Sequence, residues 1–323
     1  MSKMSTELTR IALNGPTMGS RWSALFFSDW EFDQCALRAA LQAAVDEVDA
    51  QMSTWKADSD LMRFNAEPLG TWCELPEHLT RVLHLGIKIG QASQGAFDIG
   101  MGDATRAWGF GPDEASNTGI RAALGAARMP AYEALEYDGS YMRKVAPIAL
   151  ELNAIAKGYG VDRLAETLRA CGIEHALVGI DGEMRALGLH PDGEPWVIAV
   201  ESPDETCRGA GSILALEDAA VATSGDYRHF VELRGRRMSH TMDPKRGAPL
   251  IAPPASVTVV AQSCAEADAW ATALMVLGPN AGRELARKIG LNALFLLRGP
   301  QGRIESEGIG SLFCADAAEV LIA

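Results

Sequence analysis

The stretch "IALNGPTMGSRWSALFF", residues 11–27, decides the fold class. It reads as a strand, a glycine-containing turn and a second strand. In a doubly wound nucleotide-binding fold the first strand runs through a G-x-G-x-x-G turn into a helix. Here the chain turns back as another strand, and no such motif follows. Outward from this hairpin, strands and helices are mixed rather than strictly alternating. A helix is predicted over 33–52, with Leu37, Leu41, Val45, Val48 and Met52 on one face, and another follows Pro76, striped by Leu79, Val82, Leu83 and Ile87. "MSTWKADSDLMRFNA" (52–66) reads as a polar loop around Trp55, and "QGAFDIGMGDATRAWGFGP" (94–112) as a glycine-rich loop.

Farther on, "ELNAIAKGYGVDRLAETLRACG" (151–172) reads as a strand entering a helix, and "HALVGIDGEMRALG" (175–188) as strand, turn, strand. "PWVIAVESP" (195–203) is a strand. "AVATSGDYRHFVELRGRRMSHTMDP" (220–244) reads as two strands joined at "RGRR" (234–237). The buried strand "ASVTVVAQ" (255–262) leads to the helix "CAEADAWATALMVLG" (264–278), and a last helix with two short strands finishes the chain. No repeat or low-complexity linker divides it. The expectation is one α+β unit over residues 1–323, built from two sheets with packed helices.

Bulk composition narrows the function classes. The 323 residues are 48% hydrophobic and 22% charged, as in soluble globular proteins. A net charge of −13 argues against a general nucleic-acid surface, which needs clustered cations. Any anionic ligand must be met by local cations, backbone N–H groups or a metal ion. Cysteines at 35, 73, 171, 207, 264 and 314 form no C-x-x-C, so they read as reduced thiols acting as small apolar residues. The N-terminal residues lack the apolar run of a signal peptide, no cysteine precedes Cys35 to take a lipid, and no run reaches transmembrane length. A cytoplasmic location is expected.

Several residues carry potential chemistry, each with two readings. Asp268 and Thr272 stand at i and i+4, so their oxygens share one helix face. They are either a helix-terminal acid with a back-bonded threonine, or a hard-cation site of the kind that holds Mg²⁺. Lys157, at the entry to a helix, is either a phosphate counter-ion or a solvated lysine. Thr223, Ser224 and Gly225 form a small-residue turn that lets a ligand approach, or a turn alone. Phe97 and Asp98 either face a planar ring or pack. Trp55 has the same two readings. In "RRMSHTMDPKRGAP" (236–249), His240 precedes an Asp-Pro turn and is either a general base or a strand histidine bonded to a neighbour.

Taken in order, "PTMGSRW", "MSTWKADSDLMRFNA", "GAFDIG", "ELNAIAKGYGVDRL", "PWVIAVESP", "AVATSGDYRHF", "SHTMDPKRGAP" and "ADAWATALMVLG" resemble the ApbE family, the FAD:protein FMN transferases. The motifs run from about residue 15 to 278. The resemblance implies an α+β, T-fold-like single unit. It also implies Mg²⁺-dependent transfer of FMN from FAD to a threonine or serine hydroxyl of an acceptor flavoprotein, with release of AMP. By the same resemblance Met18, Trp55, Ala96, Phe97, Asp98, Glu151, Lys157, Thr223, Ser224, Gly225 and Thr241 belong to the FAD site. Asp268, Thr272 and the backbone oxygen of Ala154 match metal positions, and His240 matches the general base. The chain departs from the family where Gly-Gly-Asp is usual: Asp181, Gly182 and Glu183 stand there instead. Two other readings compete: a Mg²⁺-dependent FAD pyrophosphatase yielding FMN and AMP, and a non-catalytic FAD-binding protein.

Overall fold

The computed structural model describes residues 8–28, 32–201, 210–226, 230–233, 236–299 and 303–313. Cys207, Cys314 and residues 227–229 and 234–235, which figure in the sequence reading, lie outside the described residues. The chain begins with β1 (Thr9–Thr17), β2 (Ser20–Ser28), α1 (Gln34–Met52), α2 (Asp60–Ala66), β3 (Cys73–Glu74) and α3 (Glu77–Ala92). Next come α4 (Gly102–Ala107), α5 (Asn117–Gly125), α6 (Ala131–Ala134), β4 (Leu135–Asp138), β5 (Tyr141–Lys144) and α7 (Ala156–Ala170). The strands β6 (Ala176–Ile180), β7 (Glu183–Leu187), β8 (Trp196–Glu201), β9 (Ala210–Leu216) and β10 (Ala220–Gly225) follow. Two short hairpins, β11 (Phe230–Leu233) with β12 (Arg236–Ser239) and β13 (Met242–Asp243) with β14 (Ala248–Pro249), lead to β15 (Ser256–Ala261). The long helix α8 (Cys264–Ile289), β16 (Asn292–Arg298) and β17 (Ile304–Ile309) complete the order.

The centre is an eight-stranded sheet of order β1-β2-β6-β7-β10-β15-β16-β17, with every neighbouring pair antiparallel. The opening hairpin is the one read from the sequence, with Thr9 opposite Ser28 and Thr17 opposite Ser20. Alternation sets its faces: Trp22, Ala24 and Phe26 enter the core under α1 and α7, while Leu25 and Phe27 face the other side. The expectation of two sheets needs correction. One large sheet is made of two four-stranded halves, joined by a seam of only two residue pairs, Ala220 with Arg185 and Val221 with Met184. Beyond Val221 the two halves separate.

Helices α1, α7 and α8 pack side by side on one face of the sheet. On the other face the β8–β9 hairpin drives Trp196, Ile198, Val200, Leu214 and Leu216 against Ala186, Val221 and Val260, beneath the seam. Helix α8 bends at Gly278 (φ 72°, ψ 180°), and Pro279 restarts it as the last helix read from the sequence. None of the helices among the described residues is long and apolar enough to cross a membrane.

Several local readings are overturned. Residues 60–66 of the supposed polar loop form α2, because Ser59 caps it through Met62 N–H and Leu61 and Phe64 are buried. Within the glycine-rich loop α4 forms, since Ala104 and Trp108 join a small apolar cluster. "ELNAI" is no strand: Glu151 N–H donates to Ile99 O, and the segment passes straight into α7. The first of the two strands read in 220–244 is divided between β10, in the main sheet, and β11, in a separate hairpin.

Candidate functional site

The separation of the halves at the seam opens a cavity of about 690 Å³, within the common range for ligand pockets of roughly 300–1,000 Å³. Its wall comes from the β6–β7 turn, the end of β10, β8, the start of α7, the first turns of α8 and the segment around His240. Thus side chains far apart in sequence meet because both sheet halves and two helices end at one place.

Lys157 stands in the first turn of α7, whose N-cap residue Ile155 supplies no side-chain cap. Its ammonium donates to Asp181 Oδ2 at 3.0 Å. Asp181 sits at the tip of the β6–β7 hairpin with a left-handed φ of 61°, followed by Gly182. Burial acts to lower the Lys157 pKa, but Glu183, Asp181 and Asp268 together outweigh it and leave the pKa raised. Asp268 is 6% exposed and accepts from Gly158 N–H at 3.2 Å. Burial first, and then the Glu183 carboxylate, push Asp268 up to about 8 against the pull of Lys157. Glu183 is also raised, chiefly by burial.

One turn along α8, Thr272 Oγ1 lies 3.0 Å from Ser224 Oγ on β10. Thr223, next to it, turns its hydroxyl to Thr258 at 2.9 Å. Glu151 accepts from Asn153 N–H at 3.1 Å, and burial raises it to about 7 with a further push from Asp98. Thr241 is buried, and its carbonyl accepts from Leu250 N–H. His240 is half-buried, joins β12 to β13 and lines the cavity. The turn after it is held by Asp243, whose Oδ1 accepts from Lys245 N–H and whose carbonyl accepts from Gly247 N–H. Lys245 and Arg246 stand exposed.

Glu151, Ala154, Lys157, Thr223, Ser224, Gly225, His240, Thr241, Asp268 and Thr272, all singled out in the sequence, therefore share one cavity. Met18, Trp55, Ala96, Phe97 and Asp98 do not line it. Met18 forms the tip of the first hairpin and packs near Gly160. Trp55 is 65% exposed. Ala96 is buried, Phe97 is buried in the large core, and Asp98 braces the loop by accepting from Gly100 and Ala131 N–H. Sequence reasoning placed Asp181 and Glu183 only as a departure from a pattern. Their turn signal, Asp-Gly between two strands, was visible, but their approach to Lys157 depends on the sheet.

The electrostatics are lopsided. Among the described residues Glu151, Asp181, Glu183, Glu201 and Asp268 line the cavity with a single lysine, Lys157. A carboxylate forced toward the neutral form, a hydroxyl one turn away and a nearby backbone are hard oxygen donors, suited to a small divalent cation. Among the described residues no three His, Cys, Asp or Glu side chains group as a metal site.

The chain matches the ApbE family over residues 18–295. It is 34% identical over 306 residues to the FAD:protein FMN transferase of Klebsiella pneumoniae, covering 92% of this chain and 87% of the relative. With the protein of the same name from Vibrio cholerae it shares 35% identity over 297 residues, covering 91% and 89%. The solved flavin transferase ApbE from Vibrio cholerae superposes with a TM-score of 0.84 at 32% identity, covering 95% of this chain and 99% of that one. The apo flavinyl transferase ApbE of Pseudomonas stutzeri gives 0.82 at 36%, covering 95% and 97%. On a match that spans both sheet halves and the whole wall of the cavity, the chain belongs to the ApbE family and is a transferase.

Proposed function

We propose that this chain transfers FMN from FAD to a threonine or serine hydroxyl of an acceptor flavoprotein and releases AMP, with Mg²⁺ as its metal. The observation that supports this most is the convergence of Lys157, Asp268, Thr272 and His240 on one cavity. The acceptor oxygen bonds to the phosphorus on the FMN side of the pyrophosphate. The bond from that phosphorus to the bridging oxygen breaks, and AMP leaves with its electron pair. His240 accepts the proton of the attacking hydroxyl.

Lys157 binds phosphate oxygens through its ammonium. In this reading the protein works as one unit, since the wall draws on residues from Met101 to Thr272. Asp268, Thr272 and the Ala154 carbonyl hold Mg²⁺, which supplies neutralisation of pyrophosphate charge when bound. Such a cation would favour the ionised form of the carboxylates that crowd Lys157 and offset their charge as an anionic dinucleotide enters.

Incubation with FAD, MgCl₂ and a candidate acceptor tests the reading by intact-protein mass spectrometry. The expected result is an acceptor heavier by one FMN less water, with AMP in equal amount. Free FMN and AMP with the acceptor unmodified would make the chain a pyrophosphatase instead, and FAD bound without turnover would make it a carrier.

A further inference from the structure

Among the described residues, strand β8 pairs with β9 alone. Ile198, Ala199 and Val200 make backbone bonds to no other element among the described residues. Their side chains alternate, with Ile198 and Val200 buried against the sheet and Ala199 exposed. Yet all three consecutive residues line the cavity that contains His240. One face of a strand presents only every second residue. Consecutive residues facing one cavity therefore present a strand edge, with its outward row of N–H and C=O groups.

From this we infer that the acceptor binds as an extended segment, adding a strand to the free edge of β8 and so carrying its hydroxyl to His240. The inference rests on the transfer reading above and specifies how its protein substrate is held. An unpaired edge is a liability that proteins usually blunt or cover, and strand addition is a common way to use one. The alternating donors and acceptors of the edge match a polypeptide. A pyrophosphate offers acceptors alone and would leave the strand carbonyls unpaired. Ala199, the small outward residue, leaves room for an acceptor side chain beside the edge.

The test uses synthetic peptides from around the modified threonine of a flavinylated protein, N-methylated at one backbone amide at a time. Strand addition predicts period-two behaviour: KM rises roughly tenfold or more at alternate positions and stays within about twofold at those between. Hydrogen exchange should slow for at least one amide among Ile198, Ala199 and Val200 when the unmethylated peptide binds. Flavinylation with no alternation, or with protection elsewhere, overturns the edge and leaves the transfer reading intact. Protection of these amides by FAD alone also overturns it, because the edge then belongs to the nucleotide. If the unmethylated peptide stays unmodified while FAD is cleaved, the transfer reading falls, and this docking with it.

Discussion

His240 gains its chemical meaning from its neighbours on the cavity wall rather than from its neighbours in sequence. In the proposed role of base for the attacking hydroxyl, it would contribute to turnover and little to nucleotide binding. His240→Ala should lower kcat by roughly 10²- to 10⁴-fold while the FAD dissociation constant stays within about threefold. Steady-state flavinylation with a parallel FAD titration checks both halves, and an unchanged kcat would remove His240 from the chemistry. Residue types and spacing made Lys157, Asp268 and Thr272 readable as a set with two meanings. They did not make Glu183 readable, because its effect on Asp268 acts across the gap between β7 and α8. Phe97 shows the converse: its reading left ring contact and packing open, and its 3% exposure places it in the core.

At the scale of elements, the site depends on how closely α7 approaches the start of α8. Gly158 makes that approach possible: a Cβ there would stand 2.3 Å from Cys264 O. Asp162, one turn farther along α7, accepts from the N–H groups of Cys264 and Ala265 at 2.8 and 2.9 Å and pairs with Arg185 at 2.6 Å. It therefore caps α8 from a neighbouring helix while tying α7 to β7, and burial is what raises its pKa most. Asp162→Ala leaves two helix-end donors and a largely buried guanidinium unpartnered, and should cost about 3–5 kcal/mol in urea unfolding. Gly182→Ala, with nothing within 4 Å of the added methyl, is the silent control at about 0.5 kcal/mol or less. Equal effects from the two would refute the cap. The apolar stripes of α1 and α3 were legible because their period alone defines a buried face. This cap was not, since nothing in the sequence records the contact of Asp162 with Cys264, 102 positions later.

For the molecule as a whole, the hairpin of residues 11–27 gave away the antiparallel class, but the two-pair seam that opens the cavity had no local signature. Seam and cavity follow from where two sheet halves stop pairing, which is a property of their packing. Gathering carboxylates there has a consequence for stability. Asp268 titrates near 3.8 when unfolded and near 8 when folded, so between these values the folded chain holds the extra proton. Glu151, moved from 4.5 to about 7, acts in the same direction, and Lys157 stays charged in both states throughout this window. The slope of unfolding free energy with pH is therefore negative, and the ligand-free protein should lose melting temperature as pH rises from about 4 to 8. Mg²⁺ held at Asp268, as proposed, would relieve the strain of its ionised form, and at ten times its dissociation constant would add about 1.4 kcal/mol. Asp268→Asn should weaken the pH dependence, leaving the part due to Glu151, and abolish the Mg²⁺ response, while retaining an acceptor for Gly158 N–H. Thermal unfolding of both proteins between pH 5 and 8.5, with and without MgCl₂, reads each arm. A melting temperature that climbs with pH in the ligand-free protein would contradict the buried-carboxylate account, and an undiminished Mg²⁺ response in the variant would move the cation away from Asp268.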